Sequence, residues 1–156
     1  MSDHPRRAAV LSLLAVLLAG AARADSSPVT VRDAWMRPTS AGAAGAGYLT
    51  IVNHGRFADT LAAIASPDAA SATLHESRML GGVMTMRPLP ALAIPSGGSV
   101  ALKPGGLHVM LRGVNRTLKV GDRATLILTF AKAGRVKVVL TVRAGAAVDS
   151  MAGMKM

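Results

Sequence analysis

The feature that most constrains the fold is a pair of long alternating segments late in the 156-residue chain. Residues 124–145 read ATLILTFAKAGRVKVVLTVRAG, in which apolar and polar side chains alternate on both sides of Lys132-Ala133-Gly134-Arg135. A period of two is typical of half-buried β-strands, and a short link that contains glycine favours a turn. The sequence therefore predicts two long strands joined as a hairpin.

Shorter segments of the same kind occur through the preceding part of the chain. We predict a first strand that ends at Arg37-Pro38 and a second over 47–55 that closes in an Asn-His-Gly turn. Residues 59–67 are predicted as a strand, although their alanines also suit a short helix. A hairpin is predicted around Leu80-Gly81-Gly82, followed by a turn-rich link (LAIPSGG), a short strand (SVALKP) and another strand (LHVMLRG). Because no segment shows a helical period over three turns, we predict an all-β sandwich or barrel.

The two ends of the chain depart from this pattern. Residues 1–24 have the features of a secretory signal peptide: Arg6 and Arg7, an apolar run and an Ala-Arg-Ala cleavage site before Asp25. The apolar run is shorter than the roughly 20 residues of a membrane-spanning helix, which makes an uncleaved anchor the less favoured alternative. We therefore predict a cleaved signal peptide over 1–24, a β domain over 25–145 and a flexible tail over 146–156, with no transmembrane segment after cleavage.

Charge and cysteine content narrow the possible functions. The chain has 18 Lys and Arg against 8 Asp and Glu, a formal net charge of +10. From Arg32 to Lys155 the basic residues are scattered singly, so nucleic-acid binding is not favoured, and we expect the charge to attract an acidic partner or an anionic membrane face. The chain contains no cysteine, which removes disulfides, thiolate ligands and a cysteine nucleophile.

Two histidines and two methionines form a candidate metal site. On a strand, residues i and i+2 point to the same face, so His108 and Met110 project side by side. His75 precedes the predicted Gly81-Gly82 turn and Met86 follows it, so pairing of these two strands would bring the imidazole and the thioether within reach. The two strand pairs are expected to converge at one end of the sandwich.

The residue types at this site favour reduced copper. Thioether sulfur is soft and uncharged and prefers Cu(I), whereas zinc sites use Cys, His and carboxylates, and calcium and magnesium prefer oxygen. A single Met on a strand is usually packing, so the joint spacing carries the interpretation. We interpret Met36 and Met79 as packing, Met84 as packing or a support for Met86 with a spare ligand as the less favoured alternative, and His54 as a polar turn residue.

This spacing resembles the motif H(M)-x10-M-x21-H-x-M of the PCuAC-type periplasmic copper chaperones. The four motif positions are occupied here by His75, Met86, His108 and Met110. Glu76 stands where some members have the optional Met. The flanking segments AWMRPT, GAGYLTIVN, GVMTMRP, LKPGGLHVML and LILTFAKAG are also similar to that family, from about Val29 to Val142. The resemblance implies a cupredoxin-like Greek-key β-sandwich or barrel that holds Cu(I) near its surface.

The same resemblance implies a function in the periplasm. Copper would be delivered by ligand exchange, chiefly toward the binuclear copper centre of cytochrome c oxidase subunit II, with that subunit and a Sco-type copper protein as partners and no enzymatic activity. Some family members have a copper-binding tail, so Met151, Met154 and Met156 are candidates for weak Cu(I) contacts, with a tail that binds no copper as an equal alternative. Two other functions stay open: copper sequestration or tolerance, and a β-sandwich binding module without metal.

Overall fold

The computed structural model describes residues 27–145. The predicted signal peptide and the tail with Met151, Met154 and Met156 lie outside this range. The described residues form ten strands: β1 Val29–Met36, β2 Gly45–Asn53, β3 Asp59–Ala65, β4 Ala69–Leu80, β5 Val83–Leu89, β6 Leu92–Ile94, β7 Ser99–Ala101, β8 Leu107–Val114, β9 Arg123–Phe130 and β10 Gly134–Val142. Within 27–145 there is no helix long and apolar enough to cross a membrane.

The predicted all-β fold is confirmed. The two long segments pair as the hairpin β9–β10, and residues 59–65 form strand β3 rather than a helix. The prediction of a plain link over LAIPSGG was wrong for Leu92–Ile94, which form β6 and pair with β3. The physical reason is burial, because Ile94 lies fully inside the core. Its strand also pairs with the edge of β3, which a link without strand structure would leave unpaired.

The strands are hydrogen-bonded in the order β5-β4-β8-β2-β1-β10-β9-β3-β6, with β7 also paired to β2. Neighbours are antiparallel except β1 and β10, which run parallel. The sheet folds into a sandwich whose inner side chains form one apolar core, and alternate residues of strands such as β8, β9 and β10 reach it. On β8, for example, Val109 and Leu111 are fully buried in the core. Met110 between them and His108 before them therefore point to the outer face of β4, β8 and β2, where the candidate site lies.

The hairpin of β4 and β5 extends past this core. Its inner end contributes Leu74 to the core, whereas Leu80 and Val83 at the outer end are mostly exposed. Gly81 and Gly82 link the strands with φ of 58° and 79°, the left-handed pair that a two-residue hairpin turn requires. The predicted turn is confirmed.

Asp59 joins β3 to the turn between β9 and β10. Its buried carboxylate accepts hydrogen bonds from the backbone N–H groups of Thr60, Lys132 and Ala133 at 2.7–2.9 Å. Burial by itself raises the pKa of Asp59, but these three donors outweigh it and hold the pKa below its usual 3.8.

We expect Asp59→Ala to lower the free energy of unfolding by about 2 kcal/mol at neutral pH, because buried N–H donors lose their acceptor. A carboxylate with a lowered folded-state pKa stabilises the fold above the unfolded-state pKa, and that contribution is lost as the pH falls through the folded-state value. Urea unfolding at pH 7 and below 3.8 measures both effects. Equal stability of the two proteins at pH 7 would contradict this assignment.

Candidate metal centre

The two predicted histidine ligands lie side by side. In the antiparallel pairing of β4 with β8, His75 is directly opposite His108. Their ring centroids are 5.9 Å apart and the ring planes differ by 19°. Both side chains are buried, with exposed fractions of 8% and 5%. The pairing therefore places two imidazoles side by side on the outer face.

The two predicted thioether ligands lie on the same face, on opposite sides of this imidazole pair. Met110 is next to His108 along β8 and opposite Thr73. Met86 is opposite Ser77, so it is diagonal to His75 and nearer the hairpin tip. Successive outward residues on a strand are about 6.7 Å apart, so a shared ion requires both Met side chains to turn toward the imidazoles. Met110 is half-buried, whereas Met86 is 55% exposed and free to turn.

Hydrogen bonds orient the imidazoles. His108 Nδ1 lies 3.2 Å from the carbonyl oxygen of Gly106. A carbonyl oxygen only accepts, so Nδ1 carries the proton and the lone pair of Nε2 is free for a metal. His75 Nδ1 lies 3.3 Å from the hydroxyl of Thr73, which can accept the same bond. These two hydrogen-bond partners were not predicted from the sequence. Each lies two residues before its histidine, and that position is the signal that could have identified them.

The surroundings of His75 favour its neutral form. Burial lowers the pKa of His75 below 6.5, and the nearby positive charge of Arg112 and of protonated His108 acts in the same direction. A hydrogen bond with the backbone of Thr73 opposes these effects without overcoming them. A neutral imidazole is the form that binds a metal.

We expect His75 to titrate below pH 6.5 in the metal-free protein, which NMR of the imidazole carbons measures directly. Because the unfolded chain binds this proton at higher pH than the folded one, stability falls as the pH drops from 6.5 through the lower folded-state pKa. His75→Gln should flatten this part of the stability profile, while His54→Gln in an exposed turn should leave it. A His75 pKa at or above 6.5 would contradict the burial argument.

An aromatic pair continues the same outer face beyond β8. Trp35 on β1 and Tyr48 on β2 alternate with core residues, and their ring centroids are 4.7 Å apart. The guanidinium groups of Arg143 and Arg37 lie over these rings at 4.7 and 5.9 Å. This aromatic pair was not part of the predicted site. Together with the two guanidinium groups, it makes the border of the histidine pair both apolar and basic.

The structure corrects the interpretation of two further methionines. Met36 is fully buried, and its assignment to packing is confirmed. Met79 and Met84 are 65% and 52% exposed, so packing was the wrong interpretation of Met79, and for Met84 the exposure leaves the other roles, a support for Met86 or a spare ligand. The hairpin carries them beyond the core, where no apolar layer covers this outer face within 27–145.

Glu76 points to the other face of β4. Its carboxylate pairs with Arg78 at 2.9 Å and with Arg87 on β5 at 3.0 Å. Hydrogen bonding from Arg78, and then from Arg87, lowers the pKa of Glu76 and keeps it charged. The residue at the optional Met position therefore braces the hairpin instead of facing the histidines.

One apolar groove is separate from the imidazoles. It measures about 390 Å³, lies between β3 and β4–β5, and is lined mostly by alanine, leucine and proline. Thr73 and Pro88 form the part of its rim nearest His75. Among the described residues there is also no cluster of three or more His, Asp or Glu suited to a metal.

Comparisons with known proteins place the chain in a family. The family model described as "Putative lipoprotein LpqE-like" matches residues 29–142. The chain belongs to the LpqE-like family. A relative of that type is "Putative lipoprotein Lxx21020" of Leifsonia xyli subsp. xyli. It is 29% identical over 116 residues, which cover 74% of this chain and 69% of the relative.

Solved structures similar to this LpqE-like chain include two copper complexes. The copper-bound PCuAC domain from PmoF2 has a TM-score of 0.63 and 27% identity, covering 76% of this chain and 94% of that domain. The solution structure of CuI-DR1885 from Deinococcus radiodurans has a TM-score of 0.58 and 29% identity, covering 81% and 87%. The expected relationship to PCuAC domains is thereby confirmed.

Proposed function

We propose that this chain is a Cu(I) carrier that holds one ion with His75, His108, Met86 and Met110. The observation that carries the proposal is the pair of parallel imidazoles, directly opposite each other with a thioether on either side. The copper-bound PmoF2 domain and CuI-DR1885 support it, because both share this fold and are between a quarter and a third identical in sequence.

The donor set suits a monovalent soft ion. Two neutral imidazoles and two thioethers add no negative charge, which fits Cu(I) better than a divalent ion. Thioethers do not titrate, and burial lowers the pKa of His75, so protonation of His75 competes with the metal only below pH 6.5. No step of carriage requires acid–base or covalent catalysis, and we propose no enzymatic activity.

Exposure gives the order of ligand exchange. Met86 is the most exposed of the four, and both histidines are buried. A partner's thiol or imidazole would displace the Met86 sulfur first and reach the histidines last. A carrier without thiolates would then lose its ion to a site richer in them.

We further propose that the chain acts in the periplasm and delivers copper toward the binuclear centre of cytochrome c oxidase subunit II, with a Sco-type protein as a second partner. The predicted signal peptide and the lipoprotein names of its relatives support export. The formal net charge of +10, of which residues 1–24 carry +2, leaves the exported chain strongly basic and favours approach to an acidic surface.

The test is a Cu(I) titration of the purified protein against a competing chelator under argon. We expect one tightly bound ion, followed by its transfer to apo subunit II. Binding without transfer would favour sequestration over delivery. No uptake of copper would leave the chain a β-sandwich module without metal, and the proposal would fail.

A further inference from the structure

Two methionines face each other at the outer end of the β4–β5 hairpin. Met79 is directly opposite Met84, and residues in that relation carry Cβ atoms about 4.5–5.5 Å apart. Both side chains are more than half exposed, so they contribute little to the core. Exposed Met pairs are unusual on a soluble protein without a ligand or partner, because Met is normally buried.

The pair is aligned with the histidine site. Met79 is on the face of β4 that carries His75, and Met84 is on the face of β5 that carries Met86. From the tip inward, one face presents the Met79–Met84 pair, then Met86, then the two imidazoles. Each step is about 6.7 Å, the repeat of outward residues on a strand.

We propose that Met79 and Met84 form a second Cu(I) site, weaker than the histidine site. The inference rests on the proposed function and deepens it. Two thioethers are soft, neutral ligands that bind Cu(I) without competition from protons. With no imidazole they hold the ion less firmly than the inner set, so it moves inward by ligand exchange through Met86 and remains Cu(I).

The other face of the hairpin carries ion pairs that stabilise the two strands, and it supplies a matched pair of control residues. Glu76 bridges Arg78 and Arg87 there and stiffens the two strands. Leu80 and Val83, also directly opposite each other at the tip, are exposed to a similar degree but have no sulfur. Changes at these two positions alter the apolar tip without touching the proposed ligands.

The experiment is an anaerobic Cu(I) titration of the purified protein labelled with ¹³C at the methionine methyl groups, with Cu(I) added as its acetonitrile complex. We expect the first equivalent to shift the methyl signals of Met86 and Met110 and the second to shift those of Met79 and Met84. The double variant Met79→Leu/Met84→Leu should lose only the second step, because leucine keeps the size and apolarity of the tip. Leu80→Ala/Val83→Ala should keep both steps.

The outcomes separate this inference from the proposed function. A normal first step with a second equivalent that shifts only Met151, Met154 and Met156 would overturn the hairpin site and leave the carrier intact. A second step that persists in Met79→Leu/Met84→Leu would do the same. Loss of the first step in the wild type, with Met79 and Met84 still shifting, would overturn the histidine site and leave the hairpin site standing.

Discussion

Replacing His108 with alanine is expected to lower the Cu(I) affinity by more than about 100-fold, since losing even the outer partners of a ligand typically costs 10–100-fold. His108 is the imidazole whose proton is fixed at Nδ1 by the Gly106 carbonyl. It therefore presents a free Nε2 lone pair without any rearrangement. Its loss leaves His75 as the remaining nitrogen donor of the set.

The measurement is competition with a Cu(I)-specific chelator. Two further variants control for loss of side-chain volume and for loss of a histidine outside the site. His108 is buried, so alanine leaves a cavity; His108→Gln retains most of the volume and supplies no imidazole. Both should bind copper weakly, and unfolding curves of the metal-free proteins show whether the fold persists. His54→Ala, at an exposed turn, should bind as the wild type does. Wild-type affinity in His108→Gln would exclude His108 from the site.

Much of the fold could be predicted because the chain alternates so regularly. The runs in β9 and β10 and the Gly81-Gly82 turn each specify a local structure that the core then stabilises. The exception was β6, whose three residues are too few to show a period. Ile94 forms a strand because it is buried against β3, and burial of that kind depends on a partner distant in sequence.

The residues of the candidate site could be proposed from the sequence, but their layout could not. Spacing identified the four candidates, yet strand register decides which of them are neighbours, and a single sequence does not fix register. Pairing of β4 with β5 was expected to bring His75 and Met86 together. The two strands do pair, with Met86 diagonal to His75, Pro88 directly opposite His75 and His108 on its other side.

Exposure was the second property that the sequence could not supply. The hairpin tip reads as apolar, VMTM after RMLGG, and such residues are ordinarily assigned to a core. How far a hairpin extends past its core depends on the lengths of the neighbouring strands. Strand β8 begins at Leu107, opposite Glu76, so the part of β4 beyond Ser77 has β5 as its remaining partner in the described region. Met79 and Met84 therefore lie in solvent.

The second large effect is expected at two consecutive residues of β8 that face opposite ways. Leu111 is fully buried and pairs with Ala72 and Gly45, so Leu111→Ala should lower the free energy of unfolding by about 2–5 kcal/mol. Met110 is half-buried on the outer face, and Met110→Ala should cost about 1 kcal/mol or less.

In Cu(I) affinity, the expected order of the two variants is the reverse of their order in stability. Met110→Ala removes a thioether ligand and should bind Cu(I) much more weakly, whereas Leu111→Ala, measured well below its melting temperature, should keep wild-type affinity. Urea unfolding of the metal-free variants and chelator competition of the folded ones give the two readouts. If both variants lost copper in proportion to their loss of stability, Met110 would be acting through the fold. If Leu111→Ala lost more stability but Met110→Ala lost more Cu(I) affinity, the Met110 sulfur would be a ligand of the ion. The neighbouring change would then have damaged the core more and the site less.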